Sequence, residues 1–309
     1  MITTVTMNAS LDKAYFMRDT IENGTVMRVD YSRTSAGGKG VNVARVAALC
    51  GANVQATGFA GGYNGQQFEA LLELDGIAHT FIPITGETRC CINILDMKYG
   101  STEYLEPGCE VSVEEEREFM KQFPDIIQKS DVVTISGSIP QGIKKDVYGK
   151  MITIAKEMGK TVILDASGEM LANGIKARPT MVKPNQDEIE QLFDTKIHNV
   201  QDVIFYANKI REEGISYVVI SLGKEGALLV CDEGVFQAKP PKVNAVNTVG
   251  CGDSMVGAFA VAFERKYTAK EALKYAVSVA TANALSQNTG DFDPHTAQRI
   301  LNQVEIINL

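Results

Sequence analysis

Short apolar runs alternate with amphipathic stretches through the middle and C-terminal parts of this 309-residue chain. Each run is a candidate buried strand, and each amphipathic stretch is a candidate helix. The predicted strands cover residues 131–135, 161–164, 181–182 and 217–220, and the predicted helices cover 146–158, 186–193 and 203–213. This alternation predicts an α/β fold, in which a mostly parallel sheet is covered by helices on both faces.

The predicted strands end in polar or glycine-containing turns. Ser136-Gly137, Asp165 and the turn 221–223 each follow an apolar run. Because the carboxyl ends of parallel strands meet at one edge of a sheet, we expect these turns to line a common ligand site.

Two regions interrupt the alternation of strands and helices. Residues 12–35 alternate polar and apolar side chains around Asn23-Gly24, and residues 88–104 do so around the turn 98–100. Asn-Gly is a strong signal for a tight hairpin. We therefore expect antiparallel strands in both regions, inserted into the α/β fold as a small separate sheet.

A glycine-rich turn precedes an apolar helix near the C-terminal end of the chain. The turn is Gly250-Cys251-Gly252-Asp253, and an apolar stretch follows it over residues 255–263. A helix N-terminus offers unpaired N–H groups and the positive end of the helix dipole, so the turn is a candidate anion cradle. Asp253 is then either an acid beside that anion or a cap of the helix.

A second turn of the same design lies at residues 37–40, Gly-Gly-Lys-Gly. A helical pattern follows it through Asn42 and ends before Gly51, which is placed as a C-terminal cap. Neither turn is a P-loop, because that motif needs an earlier glycine and a Ser or Thr after its Gly-Lys pair. No Gly-x-Gly-x-x-Gly follows a strand and opens a helix, so a dehydrogenase is not expected.

The composition is that of an ordinary globular protein, with 45% hydrophobic and 22% charged residues. The formal net charge is −8 and there is no basic cluster, so nucleic acid is not an expected partner. No run approaches the roughly 18 apolar residues of a membrane span. Residues 2–7 predict a first strand, and no basic residue precedes Lys13, so no secretion signal is expected.

The six cysteines form no Cys-x-x-Cys pair; they stand at positions 50, 90, 91, 109, 231 and 251. We interpret them as reduced thiols and expect a cytoplasmic protein. The three histidines, at 79, 198 and 295, neighbour none of the glycine turns. A transition-metal site and a Ser-His-Asp mechanism are therefore not expected.

Six segments resemble, in order, the motifs of the ribokinase-like carbohydrate kinases of the phosphofructokinase B family. They are residues 7–12, 37–44, 136–140, 183–188, 221–226 and 247–254. The resemblance covers essentially the whole chain and implies one kinase domain, 1–309, with a ribokinase-like three-layer α/β/α sandwich. It also implies that the small sheet, formed by insertions at about 12–35 and 88–106, is a lid over the sugar. We expect a homodimer through this lid.

The resemblance implies ATP as the phosphoryl donor, with Mg²⁺ bound mainly to ATP. Asp253 would accept the proton of the attacking hydroxyl, while the N–H groups of the 250–253 turn stabilise the transferring oxygens. Asn185 and Glu188 match an Asn-x-x-Glu element associated with the metal and its waters. Glu188 is therefore the expected Mg²⁺ residue, acting through water.

The later loops are expected to bind ATP. The residues that the resemblance assigns to this role are Lys183, Asn185, Glu188, Ser221, Gly223, Gly226 and Asn283. Lys183 and Asn185 would lie near the phosphates, and Ser221 and Gly223 would line the nucleotide side. Asn283, on a helix predicted over 272–286, would face the adenine.

The early motifs are expected to bind the acceptor. Their residues are Asp12, Arg28, Gly37, Gly38, Lys39, Asn42, Arg89, Ser136 and Gly137. Asp12 and Asn42 would hydrogen-bond sugar hydroxyls, and the two glycines would allow close approach. The three cations occupy family positions that hold a phosphate already on the substrate, a task that suits the planar fork of arginine.

Within the family, residues 86–95 and 105–110 resemble the tagatose-6-phosphate kinases, whereas 247–249 and 254–256 also occur in the 1-phosphofructokinase branch. The expected reaction converts tagatose 6-phosphate to tagatose 1,6-bisphosphate, and the alternative converts fructose 1-phosphate to fructose 1,6-bisphosphate. A non-catalytic sugar-phosphate sensor is a remote alternative, since a sensor has no use for an acid at the transfer point. Asn247 stands where many ribokinases have Asp, so no activating potassium site is inferred.

Overall fold

The computed structural model describes residues 1–309. Its strands are β1 (Ile2–Thr6), β2 (Ser10–Phe16), β3 (Tyr31–Gly37), β4 (Val54–Gly61), β5 (Ala78–Ile84), β6 (Arg89–Asp96), β7 (Gly100–Leu105), β8 (Val132–Ser136), β9 (Thr161–Asp165), β10 (Met181–Val182), β11 (Tyr217–Ser221), β12 (Ala227–Cys231), β13 (Gly234–Lys239) and β14 (Glu305–Asn308). Its helices are α1 (Lys39–Leu49), α2 (Gly62–Leu74), α3 (Val113–Ile127), α4 (Val147–Glu157), α5 (Gly168–Lys176), α6 (Gln186–Phe193), α7 (Val200–Glu212), α8 (Cys251–Glu264), α9 (Ala269–Ala284) and α10 (Pro294–Leu301).

A 10-stranded sheet forms the centre of the molecule, in the order β14-β13-β12-β11-β10-β9-β8-β1-β4-β5. The strands from β5 through β11 in this order are all parallel. The last three, β12, β13 and β14, continue the sheet in antiparallel fashion. The predicted parallel sheet is confirmed, and the bounds of its predicted strands and helices differ from the observed ones by at most three residues.

Apolar side chains fill a separate core on each face of this sheet. The helices α1, α2, α8, α9 and α10 bury apolar residues on one face, and α3 to α7 do so on the other. Because both faces are covered, the central strands are apolar on both sides, which explains why they appeared in the sequence as continuous apolar runs. The three-layer α/β/α sandwich is therefore confirmed.

A second sheet of four strands stands beside the first, in the order β3-β2-β6-β7. β2 pairs with β3 and β6 pairs with β7 in antiparallel fashion, while β2 and β6 are parallel. The small sheet predicted from the two irregular regions is present. The tight hairpin predicted at Asn23-Gly24 is wrong, because β2 ends at Phe16 and β3 begins only at Tyr31.

The connection between β2 and β3 is closed at its base by side chains. The rings of Phe16 and Tyr31 stack with their centroids 4.2 Å apart, and Arg18 pairs with Asp30 at 2.9 Å. The pairing of β2 with β3 ends at these contacts, with Phe16 opposite Tyr31. Asn23-Gly24 is therefore a local turn within an exposed loop.

No helix of the protein combines the length and the apolar character that crossing a bilayer would require. All six cysteines are unpaired in the structure.

The close approach of α1 to β1 gives a prediction about stability. A Cβ at Gly40 would overlap the Thr6 hydroxyl and the Val5 carbonyl, so Gly40→Ala forces the helix away from the strand. We expect a loss of about 1–3 kcal/mol in the free energy of unfolding, as for other overpacked sites. Urea denaturation measures this change.

Gly149 provides the matched control, since it also lies within a helix. A Cβ there would have the Asn173 carbonyl oxygen as its nearest neighbour, at 3.4 Å, which is an ordinary contact. Gly149→Ala should therefore stabilise the protein, by up to about 1 kcal/mol, through helix propensity. Changes of the same sign in the two variants would contradict the packing argument.

Candidate active site

A cavity of about 480 Å³ lies where the carboxyl edge of the main sheet faces the small sheet. The main sheet and the loops after its strands contribute Asp165, Lys183, Asn185, Glu188 and Ser221. Helices α1 and α8, with the glycines that precede them, contribute Gly38, Lys39, Asn42, Arg45, Gly250, Gly252 and Asp253. The small sheet contributes Ser10, Asp12, Lys13, Arg33, Arg89, Cys91, Asn93 and Glu103, among others. The cavity is therefore the one place where the early and late motifs meet.

Asp253 is a buried carboxylate on the third residue of α8. The helix begins at Cys251, so the N-cap is Gly250 and the interpretation of Asp253 as a cap is excluded. One carboxylate oxygen, Oδ2, accepts a hydrogen bond of 2.8 Å from the Asn42 side chain. Burial raises the pKa of Asp253 to about 6, against the opposing effect of Lys39. A carboxyl with such a pKa can take up a proton near neutral pH.

The first turn of α8 presents free N–H groups to the cavity. The amides of Gly252 and Asp253 have no hydrogen-bond acceptor, as expected at a helix N-terminus. Gly250 has φ 81°, and a Cβ at this position would lie 2.7 Å from the Thr289 methyl group. Only glycine fits this conformation and this space, so the residue type fixes the path of the chain into the helix.

Asp165 forms ion pairs with two lysines beneath this turn. Its carboxylate lies 3.2 Å from Nζ of Lys183 and 3.7 Å from Nζ of Lys39. Burial acts to raise the pKa of Asp165, but the two lysines outweigh it and leave the pKa below its ordinary value. A Cβ at Gly252 would lie 3.4 Å from Nζ of Lys183, so this ammonium group also adjoins the free N–H groups. Amides and lysine together create a positive potential that suits a phosphate.

Asp12 lies on β2 at the base of the small sheet. A Cβ at Gly37 would overlap its carboxylate, so Gly37 makes room for Asp12. Ser10 donates a hydrogen bond of 2.6 Å to Oδ1 of Asp12. Burial raises the pKa of Asp12, with Ser10 and then Arg89 opposing that effect. The second carboxylate oxygen remains available to a ligand hydroxyl.

Arg89 is a cation that no carboxylate neutralises directly. Its guanidinium group donates to the carbonyl of Asn8 at 3.0 and 3.3 Å and to the carbonyl of Glu106 at 2.8 Å. These neutral acceptors hold the guanidinium plane at the cavity wall while its charge stays available to an anion. Lys39, by contrast, is directed toward Asp165, and its pKa is raised chiefly by that carboxylate.

Glu188 and Asn185 cap the start of α6. The Asn185 side chain accepts from the Glu188 N–H at 2.8 Å, and Oε2 of Glu188 accepts from the Asn185 N–H at 2.9 Å. This capping box engages one carboxylate oxygen of Glu188, which lines the cavity, and leaves the other oxygen without a hydrogen-bond partner. The protein has no group of three or more His, Cys, Asp or Glu side chains that could hold a metal ion by itself.

Two predicted ligand residues lie outside the cavity. Arg28 is exposed in the connection between β2 and β3, away from Arg89 and Lys39. Asn283 is fully buried, and its amide bonds to the Val249 carbonyl at 3.1 Å and the Asp291 N–H at 3.2 Å. Asn283 therefore holds the loops on either side of the α8 turn, which corrects its predicted contact with adenine.

Six further predicted residues also lie outside the cavity lining, namely Gly37, which makes room for Asp12, and the five described next. Ser136 is buried, and the Gly137 N–H donates to the Asp165 carbonyl at 2.9 Å, so both shape the strand end that carries Asp165. Gly223 is exposed beside the cavity. A Cβ at Gly226 would overlap the Ala238 carbonyl, so this glycine fixes the turn into β12. Cys251 is half-buried, and burial raises the pKa of its thiol.

Sequence reasoning placed Asp165 at the ligand edge of the sheet without a chemical role, and it assigned no role to Arg45 or to the loop residues 287–289; all of them line the cavity. Asp165 carried a usable signal, because an acidic residue ends a buried strand at the ligand edge. Arg45 carried a weaker signal, which was its position one helical turn after Asn42. The loop 287–289 follows α9 without any motif, and only the tertiary structure brings it to the cavity.

Comparisons with known proteins identify the family and the fold of the chain. The family described as pfkB family carbohydrate kinase matches residues 5–296. A tagatose-6-phosphate kinase of Staphylococcus epidermidis is 36% identical, and a 1-phosphofructokinase of Bacillus subtilis is 33% identical; each alignment covers 100% of both chains. The crystal structure of phosphofructokinase-2 from Escherichia coli in complex with potassium superposes with a TM-score of 0.92 at 31% identity, covering 98% of each chain.

The family match spans nearly the whole chain, and the glycine turns, Asp253 and the two-sheet cavity occur together in one site. The chain therefore belongs to the pfkB family of carbohydrate kinases.

Proposed function

We propose that this enzyme is an ATP-dependent kinase of a ketohexose phosphate, and that it converts tagatose 6-phosphate to tagatose 1,6-bisphosphate. The observation that carries the proposal is the position of Asp253. Its buried carboxylate adjoins free helix N–H groups and lies in the same cavity as Arg89, a cation without a carboxylate partner. A base, an anion cradle and a second anion-binding cation are what a kinase of a phosphorylated sugar requires.

In the proposed reaction, Asp253 acts on the hydroxyl group that is phosphorylated. Asn42 occupies its Oδ2, so Oδ1 accepts the hydroxyl proton while the sugar oxygen bonds to the γ-phosphorus of ATP. The bond between that phosphorus and the bridging oxygen breaks, and ADP leaves. The amides of Gly252 and Asp253, with Lys183 beside them, stabilise the negative charge on the transferring phosphoryl group.

Kinases of this family use ATP, and we propose that it binds along the main-sheet side of the cavity. Lys183, Asn185 and Ser221 line this side. The free oxygen of Glu188 suits Mg²⁺, which binds proteins through one or two carboxylates and keeps several waters and substrate phosphates as ligands. The ion would supply charge neutralisation at the phosphates of ATP.

The sugar would bind on the small-sheet side, where Asp12 and Asn42 offer hydrogen bonds and Arg89 offers a charge. Tagatose 6-phosphate is proposed because of the 36% identical relative named for that activity and the resemblance of residues 86–95 and 105–110. The 33% identical relative named 1-phosphofructokinase supports fructose 1-phosphate as the alternative. Initial rates with ATP and tagatose 6-phosphate, fructose 1-phosphate, fructose 6-phosphate or unphosphorylated fructose distinguish these substrates.

We also propose that the small sheet is a lid and a dimer contact. Its edge strands β3 and β7 are unpaired, and it exposes Tyr31, Tyr104 and Leu105 by more than half of their surface. Unpaired edges and apolar side chains together favour association with a second copy of the chain. The phosphofructokinase-2 of Escherichia coli has a tetrameric inhibited form, so a structural relative assembles from several chains.

The first prediction of this proposal concerns Asp253→Asn, which keeps the size of the side chain and removes the proton acceptor. The value of kcat should fall by about 10²–10⁴-fold, as for the loss of a general base, while the affinity for ATP changes little. Because burial raises the pKa of Asp253 to about 6, the same variant should be more stable at pH 8, by about 1–3 kcal/mol.

Steady-state kinetics and urea denaturation measure the two effects of Asp253→Asn. Asp232→Asn is the matched control, since this carboxylate is 83% exposed and far from the cavity. Near-full activity in the Asp253 variant would show that another group accepts the proton.

The second prediction concerns the phosphate already on the sugar. Arg89→Ala should raise KM for the sugar phosphate about ten- to a hundredfold, because a charge-assisted contact is worth roughly 1.5–3 kcal/mol. KM for ATP should stay nearly constant. Arg18→Ala, in the exposed connection, is the control and should change neither constant. An equal effect of Arg89→Ala on unphosphorylated fructose would mean that the arginine is structural.

The third prediction concerns the lid. Sugar phosphate bound to Arg89 and Asp12 should draw the small sheet toward the main sheet, because closure excludes water from the phosphoryl group. Amide hydrogen exchange in β2, β3, β6 and β7 should slow at saturating substrate. Analytical sedimentation should show a dimer at micromolar concentration. Unchanged exchange would refute closure, and a strictly monomeric protein would refute the pairing.

A further inference from the structure

Arg45 lies one turn after Asn42 on α1, and its guanidinium group has four acceptor contacts. Nη1 donates to Oδ1 of Asn42 at 3.2 Å, and Nη2 donates to the Ala36 carbonyl at 2.8 Å. Nε and Nη2 also contact Oδ2 of Asp75, at the end of α2, at 3.1 and 2.9 Å. The side chain is only 14% exposed. These contacts fix the guanidinium plane from two sides.

The bond from Arg45 determines which way the Asn42 amide faces. An amide side chain has an oxygen end and a nitrogen end, and rotation by half a turn exchanges them. Because arginine can only donate, its contact requires the oxygen end of Asn42. The nitrogen end must then face Asp253, where it donates to Oδ2 at 2.8 Å.

We propose that Arg45 is a positioning residue of this enzyme, which orients Asp253 through Asn42. The continuous contact Arg45–Asn42–Asp253 occupies Oδ2 of the carboxylate and leaves Oδ1 as the oxygen that meets the sugar hydroxyl. The inference rests on the proposed function and deepens it, because it names the residue that orients the general base of that reaction.

The anchors of Arg45 support this role. Asp75 lies outside the cavity lining, and the Ala36 carbonyl belongs to the strand that leads into the Gly37 turn. Neither group competes for a ligand, so substrate binding need not disturb them. Arg45 thus connects the rigid helices α1 and α2 to the base, and rigid support of this kind preserves the geometry of a catalytic group.

Arg45→Met provides the test, with ATP and tagatose 6-phosphate as substrates. Without the bond from Arg45, the Asn42 amide is held at Asp253 only by its bond to Oδ2, so this donor is oriented less firmly. We expect kcat to fall about ten- to a hundredfold, as for other small misplacements of a catalytic group, while KM for ATP stays constant. Arg211→Met, at the exposed pair with Asp232, is the matched control and should behave as the wild type.

The pH profile gives a readout that a purely structural role would not move. The charged groups around Asp253 are Lys39, Asp165 and Lys183, and the Asn42 hydrogen bond adds to the two lysines in lowering its pKa. Loss of that bond should raise the pKa, so the acid limb of kcat/KM moves to higher pH than in the wild type. Arg45→Lys keeps the charge without the planar fork and should show the same displacement.

A double variant decides whether Arg45 acts through Asn42. If it does, Arg45→Met combined with Asn42→Ala is no slower than Asn42→Ala alone. The inference would be overturned if the losses in kcat of the two single variants multiplied in the double variant. It would also be overturned if the acid limb of kcat/KM did not move, or if Arg45→Lys kept full activity. The rate of the wild-type enzyme with ATP and tagatose 6-phosphate tests the proposed function separately, because this measurement needs no variant. Arg45→Lys keeps the test available if the Met variant does not fold.

Discussion

The ion pairs around Asp165 are the constraint on which the site depends. Asp165 and Asp253 are both buried, and a buried carboxylate without a partner costs several kcal/mol. Lys183 and Lys39 supply the compensating charges, one from the main sheet and one from the start of α1. The two halves of the main fold must therefore be packed together before these charges can be buried. The packing that forms the three-layer sandwich therefore also brings together the groups of the proposed phosphoryl-transfer site.

The positive charges near Asp253 do not fully offset the cost of burying its carboxylate. Its pKa is raised to about 6 by burial, so folding favours the protonated form. That contribution to stability is fully present below the ordinary pKa of the group and is lost as the pH rises through about 6. The enzyme at neutral pH thus holds a carboxylate that its own fold destabilises. In the proposed reaction a proton from the substrate relieves that cost, which is the property that a general base needs.

The sequence allowed the parallel strands, both glycine turns and the helix 186–193 to be predicted, because each depends on local periodicity or on backbone conformations that glycine favours. The length of the connection after Phe16 could not be predicted, since an aromatic stack with Tyr31 overrides the Asn-Gly signal. The bonds of Asn283 to two loops, and the position of Arg45 behind Asn42, depend on contacts between distant segments. Such contacts produce no periodic pattern in a single sequence, so they could not be predicted from it.

The cations of the cavity differ in whether a carboxylate neutralises them, and this difference bears on the proposed closure of the lid. Lys39 and Lys183 are engaged with Asp165, whereas Arg89 on the small sheet has only neutral carbonyl acceptors. Arg89, and with it Lys13 and Arg33, which also lack an ion-pair partner, therefore place unneutralised charge on the part that is proposed to move. A protein with a net charge of −8 attracts anions only through such local fields. In the proposed arrangement, an unphosphorylated sugar could bind Asp12 and Asn42 but would lack the phosphate that attracts Arg89 and its sheet toward the transfer site. Specificity for a phosphorylated substrate would then arise from closure as much as from binding.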